Sequence, residues 1–326
     1  MKRVFSILAV ILLACVFCAP ASAAQKEWTF MVFLNADNNL DSFGVGDLQE
    51  MVSAGGSNDN LNVICLLDRE HAPATLYYVE KDGAKVIGEP GEIDMGDYHE
   101  YVKFVVETAR AYPAKHYCSV VWNHGSGWKD AKGEIIKGIS YDDQSGNHIT
   151  TNQLTVALKE IEAALGKKLD IFCFDACLMQ MVEVAYAMKD GCDYLVASEE
   201  TEPGQGYPYL EILSGFKKGM NPEAFAKHIV TEYSNSYNGG SAGMSSTTQS
   251  ALKCSEIDNL RDAINGYCKA ALAGNHGAEF KGALNAAQKF YYRTNIDLGH
   301  FVSLTKNAIK DEAFQTAASK LMAAID

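Results

Sequence analysis

Leu169-Asp170-Ile171-Phe172-Cys173-Phe174-Asp175-Ala176-Cys177-Leu178-Met179 is the stretch on which the reading of the fold turns. Its apolar run, Ile171 to Phe174, is rich in aromatic and branched residues and reads as a strand buried on both faces. The run stops at Asp175-Ala176-Cys177, and from Met179 the period changes: Val182, Ala185, Tyr186 and Met188 fall on one face of a helix. A cysteine where a buried strand gives way to a helix lies in the crevice beyond the strand C-termini, where open parallel α/β sheets bind their ligands. A helix N-terminus at that point favours thiolate. Cys177 is therefore the first candidate nucleophile.

A second stretch has the same form. Tyr117 to Trp122 is apolar almost throughout and ends in Asn123-His124-Gly125-Ser126-Gly127-Trp128, so His124 sits at the C-terminal end of its strand as Cys177 does. If the two strands are parallel neighbours, imidazole and thiol share one crevice, the nucleophile and base arrangement of a cysteine hydrolase. Gly125 permits close backbone approach, which makes its N–H a natural oxyanion donor. Ser126 is a poor rival, because Gly125-Ser126-Gly127 lacks the Gly-x-Ser-x-Gly spacing of a nucleophile elbow.

The first 23 residues read as a secretory signal peptide: basic Met1-Lys2-Arg3, an apolar run from Val4 to Phe17, and Ala21-Ser22-Ala23 as the cleavage signal. The run is too short to span a bilayer, so the mature chain is expected from about Ala24 and the protein is expected to be secreted, periplasmic or at the cell surface. Leu12-Leu13-Ala14-Cys15 gives a competing lipoprotein reading at Cys15. The formal net charge of −13 becomes −15 when Lys2 and Arg3 leave, 26 basic against 41 acidic residues. Such a surface argues against nucleic acid and anionic membranes as partners and suits basic substrates, although solubility alone would explain it. After the leader, Cys65, Cys118, Cys173, Cys177, Cys192, Cys254 and Cys268 remain, an odd number that leaves at least one free thiol. No zinc-type spacing occurs, so no metal is expected.

The chain then alternates strands and helices. Trp28 to Ala36 is the first strand, with a turn at Asp37-Asn38-Asn39 and a helix capped by Asp41 or Ser42. Asn62 to Asp68 is the second strand, Leu76–Val79 and Ala84–Ile87 a hairpin, and Tyr98 to Tyr112 an amphipathic helix. Lys129 to Asn147 reads as a long surface loop or hairpin, and Thr151 or Asn152 as the cap of a helix to about Leu165. Asp193 to Ser198 is a further strand, followed by the acidic turn Glu199-Glu200-Thr201-Glu202-Pro203-Gly204, which should line the crevice. The remainder reads as helices over 209–216, 222–237, 257–273, 278–291 and 298–309 with a strand over 247–252. This order predicts an α/β fold with a mostly parallel sheet covered on both faces, about 27–215, and a mainly helical C-terminal part, about 216–326, in one domain over 24–326.

Asn123-His124-Gly125-Ser126-Gly127-Trp128, Phe174-Asp175-Ala176-Cys177-Leu178-Met179 and Ala197-Ser198-Glu199-Glu200 resemble the signature segments of the clostripain family of secreted bacterial cysteine peptidases. Phe30 to Leu40 resembles that family's first strand and turn, and Asp297-Leu298-Gly299-His300-Phe301 a motif in its C-terminal part. The resemblance implies a caspase-like α/β/α sandwich and an endopeptidase with His124 as base and Cys177 as nucleophile. It also implies peptide or protein substrates cleaved after Arg or Lys, with acids at the base of the S1 pocket. Asp175 matches one such acid; the substrate-binding loop Glu199, Glu200, Thr201, Glu202 is expected to supply another, with the choice open. Self-processing between His124 and Cys177, as in family zymogens, would suit Lys137 or Lys132. The family includes calcium-dependent members, but no Asp-rich loop here demands calcium, and no cofactor is expected.

Blander readings compete. Asp175 would also serve as the cap of the following helix, the glutamates after Ser198 as a solvated loop, and the two lysines as plain surface charge. A non-catalytic surface protein that holds basic peptides on the same fold is the alternative function.

Overall fold

Alternation along the first strand, β1 (Lys26–Ala36), shows how the sheet is filled: Trp28, Phe30, Val32 and Leu34 enter one apolar cluster, Met31 and Phe33 another on the opposite face. The computed structural model describes residues 25–128 and 137–326. The expected leader, Cys15 and Lys132 lie outside the described residues. After β1 come α1 (Asp41–Ser53), β2 (Leu61–Arg69), the β3 (Ala72–Glu80) and β4 (Gly83–Gly91) hairpin, α2 (Tyr98–Ala111) and β5 (Ala114–Trp122). A small hairpin of β6 (Gly138–Asp142) and β7 (Asn147–Thr150) leads into α3 (Thr151–Leu165), β8 (Leu169–Asp175), α4 (Val182–Met188) and β9 (Cys192–Ala197). The rest is α5 (Tyr209–Ser214), α6 (Pro222–Tyr237), the short pair β10 (Asn238–Gly240) and β11 (Gly243–Met244), and β12 (Ser250–Lys253). Then follow α7 (Ile257–Ala273), α8 (Gly277–Ala286), α9 (Leu298–Ala308) and α10 (Glu312–Ile325).

The main sheet has eight strands in the order β12-β9-β8-β5-β1-β2-β3-β4. The five central strands are parallel, and β12, β3 and β4 join antiparallel at the edges. One face is covered by α2, α3 and α4 together with α7, α9 and α10; the other by α1, α5 and α6. The result is an α/β/α sandwich. Val302, Phe314 and Leu321 of the C-terminal helices share a cluster with Phe172 and Phe174 of β8, so these helices complete the sheet's own core. The strand order reverses at β1 and β5, since the chain grows one way through β2 and the other through β8, and the crevice above that switch point is where such sheets bind ligands.

Several local expectations are corrected. The cap of α1 is Leu40, without a side-chain bond, because Asp41 is taken by a bidentate pair with Arg69 at 2.8 and 2.7 Å. Thr150 caps α3, in a capping box with Gln153, one residue before the expected Thr151. The helix expected over 278–291 ends at Ala286, where Lys289 reaches back to the carbonyls of Leu284 and Asn285 and residues beyond turn into a hairpin. Sequence reading also missed α10, whose Phe314, Ala318 and Leu321 recur at helical spacing and are buried.

Candidate active site

Strand pairing brings the two candidate residues together. Trp122 of β5 is the register partner of Asp175 of β8, and His124 and Cys177 each follow two residues later, at the C-terminal ends of adjacent parallel strands. The crossing is tight: a Cβ at Gly125 would stand 2.2 Å from the Cys177 carbonyl oxygen, so only glycine fits. Leu178, immediately after Cys177, has φ of +66°, a left-handed conformation that an L side chain adopts under constraint. Its N–H donates to the Glu200 carbonyl at 3.1 Å, which ties the turn carrying the cysteine to the loop beyond β9.

His124 is held from the other side. Asn123 clamps the segment, its amide donating to the Asn35 and Tyr141 carbonyls at 2.7 and 3.0 Å and accepting from the Tyr141 N–H at 2.8 Å. The imidazole Nε2 lies 2.8 Å from Oδ1 of Asn39, in the turn after β1. An amide oxygen only accepts, so Nε2 carries the proton and Nδ1 is left basic. Burial lowers the His124 pKa, partly offset by Asp143. Ser126 hydrogen bonds Tyr141 and the Gly138 carbonyl, a structural role.

The thiol differs from expectation. Helix α4 begins at Val182, five residues beyond Cys177, and burial raises the thiol pKa where a helix N-terminus was expected to lower it. Its Sγ accepts the Glu202 N–H at 3.2 Å and makes no hydrogen bond with His124 among the described residues. Asp175 does not cap a helix either: its carboxylate accepts the Tyr207 N–H at 3.1 and 3.2 Å and the Tyr209 hydroxyl at 2.8 Å.

Beneath the cysteine lies a buried acidic cluster. Burial pushes Asp175 up to about 7, against hydrogen bonds that pull it down. Glu202 is pushed well up by burial and by the neighbouring Asp175, the one carboxyl it can share a proton with, and among the described residues neither of its oxygens receives a hydrogen bond from an N–H or hydroxyl donor. Asp47 of α1, bonded to the Trp122 indole at 2.7 Å, is raised to about 9 by burial and by Asp175, and Glu50 is raised by burial. The other loop residues separate from this cluster. Glu200 accepts from the N–H groups of Thr201 and Tyr291 at 2.7 and 3.1 Å, while Glu199 faces Asp297 and is raised to about 7 by burial and that like charge. Lys137 lies at the start of the β6 hairpin, where its carbonyl accepts the Thr151 N–H at 3.2 Å. Among the described residues no group of His, Cys, Asp and Glu is arranged to hold a metal ion, and no helix is long and apolar enough to cross a membrane. Asn39, Asp47 and Glu50 carry no functional signal in the sequence: Asn39 reads as part of a turn, and two acids on a helix carry no sign of where the helix packs.

The clostripain family model matches residues 32–324, from β1 to the last helix. The chain belongs to the clostripain family. A curated relative, clostripain of Hathewaya histolytica, is 29% identical over 227 residues, covering 60% of this chain and 43% of that protein. The chain thus spans less than half the length of that relative. Among solved structures, a secreted C11 cysteine protease from Bacteroides thetaiotaomicron bound to an irreversible peptide inhibitor is 24% identical with a TM-score of 0.70, covering 90% of this chain and 82% of that one. An inactive zymogen C11 protease from Parabacteroides distasonis is 21% identical with a TM-score of 0.68, covering 93% and 82%. These likenesses establish the caspase-like sandwich as the fold of this clostripain-family chain.

Proposed function

We propose that this protein is an exported cysteine endopeptidase that cleaves after Arg or Lys. The observation that carries the reading is the pair Asp175 and Glu202: two buried carboxyl groups beside a cysteine, at a strand end that faces a histidine, with no ion pair to either among the described residues. A guanidinium or ammonium from a substrate would supply the missing cation and satisfy the Glu202 oxygens. This reading resolves the choice of second acid in favour of Glu202 over Glu199 and Glu200.

In the proposed mechanism the proton of the Cys177 thiol passes to Nδ1 of His124, and the thiolate attacks the scissile carbonyl carbon. The N–H groups of Gly125 and Cys177 stabilise the oxyanion. Collapse expels the amine, which takes the proton from His124, and water hydrolyses the thioester to return free enzyme. Asn39 keeps the imidazole in the tautomer this needs. The Glu202 N–H on Sγ must be exchanged for the histidine as substrate enters, which fits a resting or precursor state. A precursor form, as in the structural relative solved as an inactive zymogen, would be activated by processing between His124 and Cys177, at Lys137 or Lys132. Export rests on the leader sequence and on the secreted C11 protease among the structural relatives.

Fluorogenic peptides ending in Arg, Lys, Asp or Leu before the reporter test this with mature protein and its Cys177→Ala variant. Cleavage after Arg or Lys that vanishes in the variant is expected. Cleavage only after Asp or Leu would discard the pocket, and silence in a processed sample would favour a peptide-binding protein.

A further inference from the structure

Between α8 and α9 the chain forms a hairpin whose tip, Tyr291-Tyr292-Arg293, is built against the turn that carries Cys177. The base is closed by a bridge of Lys289 with Ile296, by the Asp297 N–H on the Gln288 carbonyl at 3.0 Å, and by the Phe290 N–H on the Asn295 carbonyl at 3.2 Å. His300 Nδ1 accepts the Gln288 N–H at 3.1 Å, and Phe290 is buried beneath. Two contacts then fix the tip to the nucleophile's surroundings. The Tyr291 N–H donates to Glu200 Oε1 at 3.1 Å, and the Asn295 amide approaches Met181 Sδ at 3.9 Å. Glu200 in turn accepts the N–H of Leu178, the residue after Cys177.

On this anchored tip two aromatic rings face solvent, Tyr291 at 65% exposure and Tyr292 at 37%, edge to face with centroids 5.1 Å apart. Paired exposed rings on a rigid turn supply contact area at little cost in conformational entropy. The sheet order decides which half of a substrate they meet. His124 ends β5, so the leaving amine that it protonates lies on the β5 side of Cys177. Glu200, which holds the hairpin, lies in the loop leaving β9, on the opposite side of β8, where the acyl half of the substrate must run.

We propose that Tyr291 and Tyr292 form a subsite for an apolar or aromatic side chain in the residues just N-terminal to the cleaved bond. The inference rests on the peptidase reading above and adds a second determinant of specificity, distant in sequence from the dyad. The hairpin thereby links a C-terminal family motif, Asp297 to Phe301, to substrate selection.

The test uses mature protein and three reporters with Arg at the cleavage site: acyl-Arg alone, a tetrapeptide with Leu or Phe in the second and third positions before the bond, and one with Gly there. Wild type should prefer the apolar tetrapeptide over the Gly one by about tenfold in kcat/KM. In Tyr291→Ala/Tyr292→Ala that preference should fall close to one, with hydrolysis of acyl-Arg and the melting temperature unchanged, while Tyr291→Phe/Tyr292→Phe keeps it. An unchanged preference in the alanine variant overturns the subsite alone. So does an equal loss on all three reporters, which would make the tyrosines mere supports for Glu200. Failure of wild type to cleave even acyl-Arg overturns the peptidase reading, and this inference with it.

Discussion

Asp170 at the start of β8 and Asp175 at its end are equally buried, each 4% exposed, yet they are neutralised in opposite ways. Asp170 meets His116 Nδ1 at 2.6 Å, Lys167 Nζ at 2.7 Å and the Tyr117 N–H at 2.9 Å. Asp175 has a backbone N–H and a tyrosine hydroxyl, and its charged neighbours are other carboxyl groups: Glu202, Asp47 and Glu50. One end of the strand has its cations built in, as a fold needs where a charge is permanently buried. Among the described residues the other end lacks them. A protein keeps such an imbalance at a cost in stability, and cost of that kind concentrates where a ligand completes the site.

The comparison is sharpened first at the nucleophile. Cys177→Ala should lower kcat/KM by roughly 10^4-fold or more, with the melting temperature unchanged, because the residue belongs to the unbalanced end alone. Measurable turnover near wild type in that variant would remove the mechanism.

Next in size is the pocket. Asp175→Asn, which keeps the shape and the acceptor for Tyr209, should reduce cleavage after Arg by about 10^2-fold or more, the scale expected when a buried charge loses its partner. Steady-state kinetics on matched Arg and Leu substrates would show it, and an undiminished preference for Arg would erase the contrast between the two ends.

Asp170→Ala should behave in the reverse sense. It strands Lys167 and His116 and should cost about 2 kcal/mol in denaturant unfolding, below the value for a fully buried pair because both partners reach solvent. Its preference among substrates should be unchanged. If specificity moved instead of stability, the N-terminal end of the strand would not be the purely structural one.

The smallest effect is the pH dependence of the unliganded protein. Asp175 and Asp47 hold protons up to about 7 and about 9 in the folded chain, against an ordinary value of 3.8 for each. Between 3.8 and those values the folded state binds more protons than the unfolded one, so stability falls as pH rises through that window. Melting temperature should therefore rise from pH 8 to pH 5, and Asp47→Asn should flatten the slope. A melting temperature that climbs toward pH 8 would mean that a cation already balances the cluster.

Much of this was legible residue by residue. The apolar runs ending at Trp122 and Phe174 announce buried strands because a strand covered on both faces has no polar side to spare. The His124 and Cys177 positions followed from that, since the end of a run is visible in a sequence. The thiol's environment was not. The period change after Met179 is real, but the turn from Ala176 to Met181 delays the helix, and a few residues of delay remove the helix N-terminus from Sγ. The long helix expected over 278–291 failed for a similar reason: Phe290 fits a helical repeat, but it buries from a hairpin.

By itself, then, the chain's order of apolar runs, turns and helical repeats determined a mostly parallel α/β sheet, its family, and a histidine and cysteine at strand ends, because each of these is a local pattern. Tertiary structure alone decided that β5 and β8 are neighbours in register, that Glu202 meets Asp175 while Glu199 faces Asp297, that Asn39 hydrogen bonds His124, and that Tyr291 stands beside Glu200. These are contacts between residues far apart in the chain. Their existence depends on how layers pack and which charges share a low-dielectric space, and no local pattern carries that information.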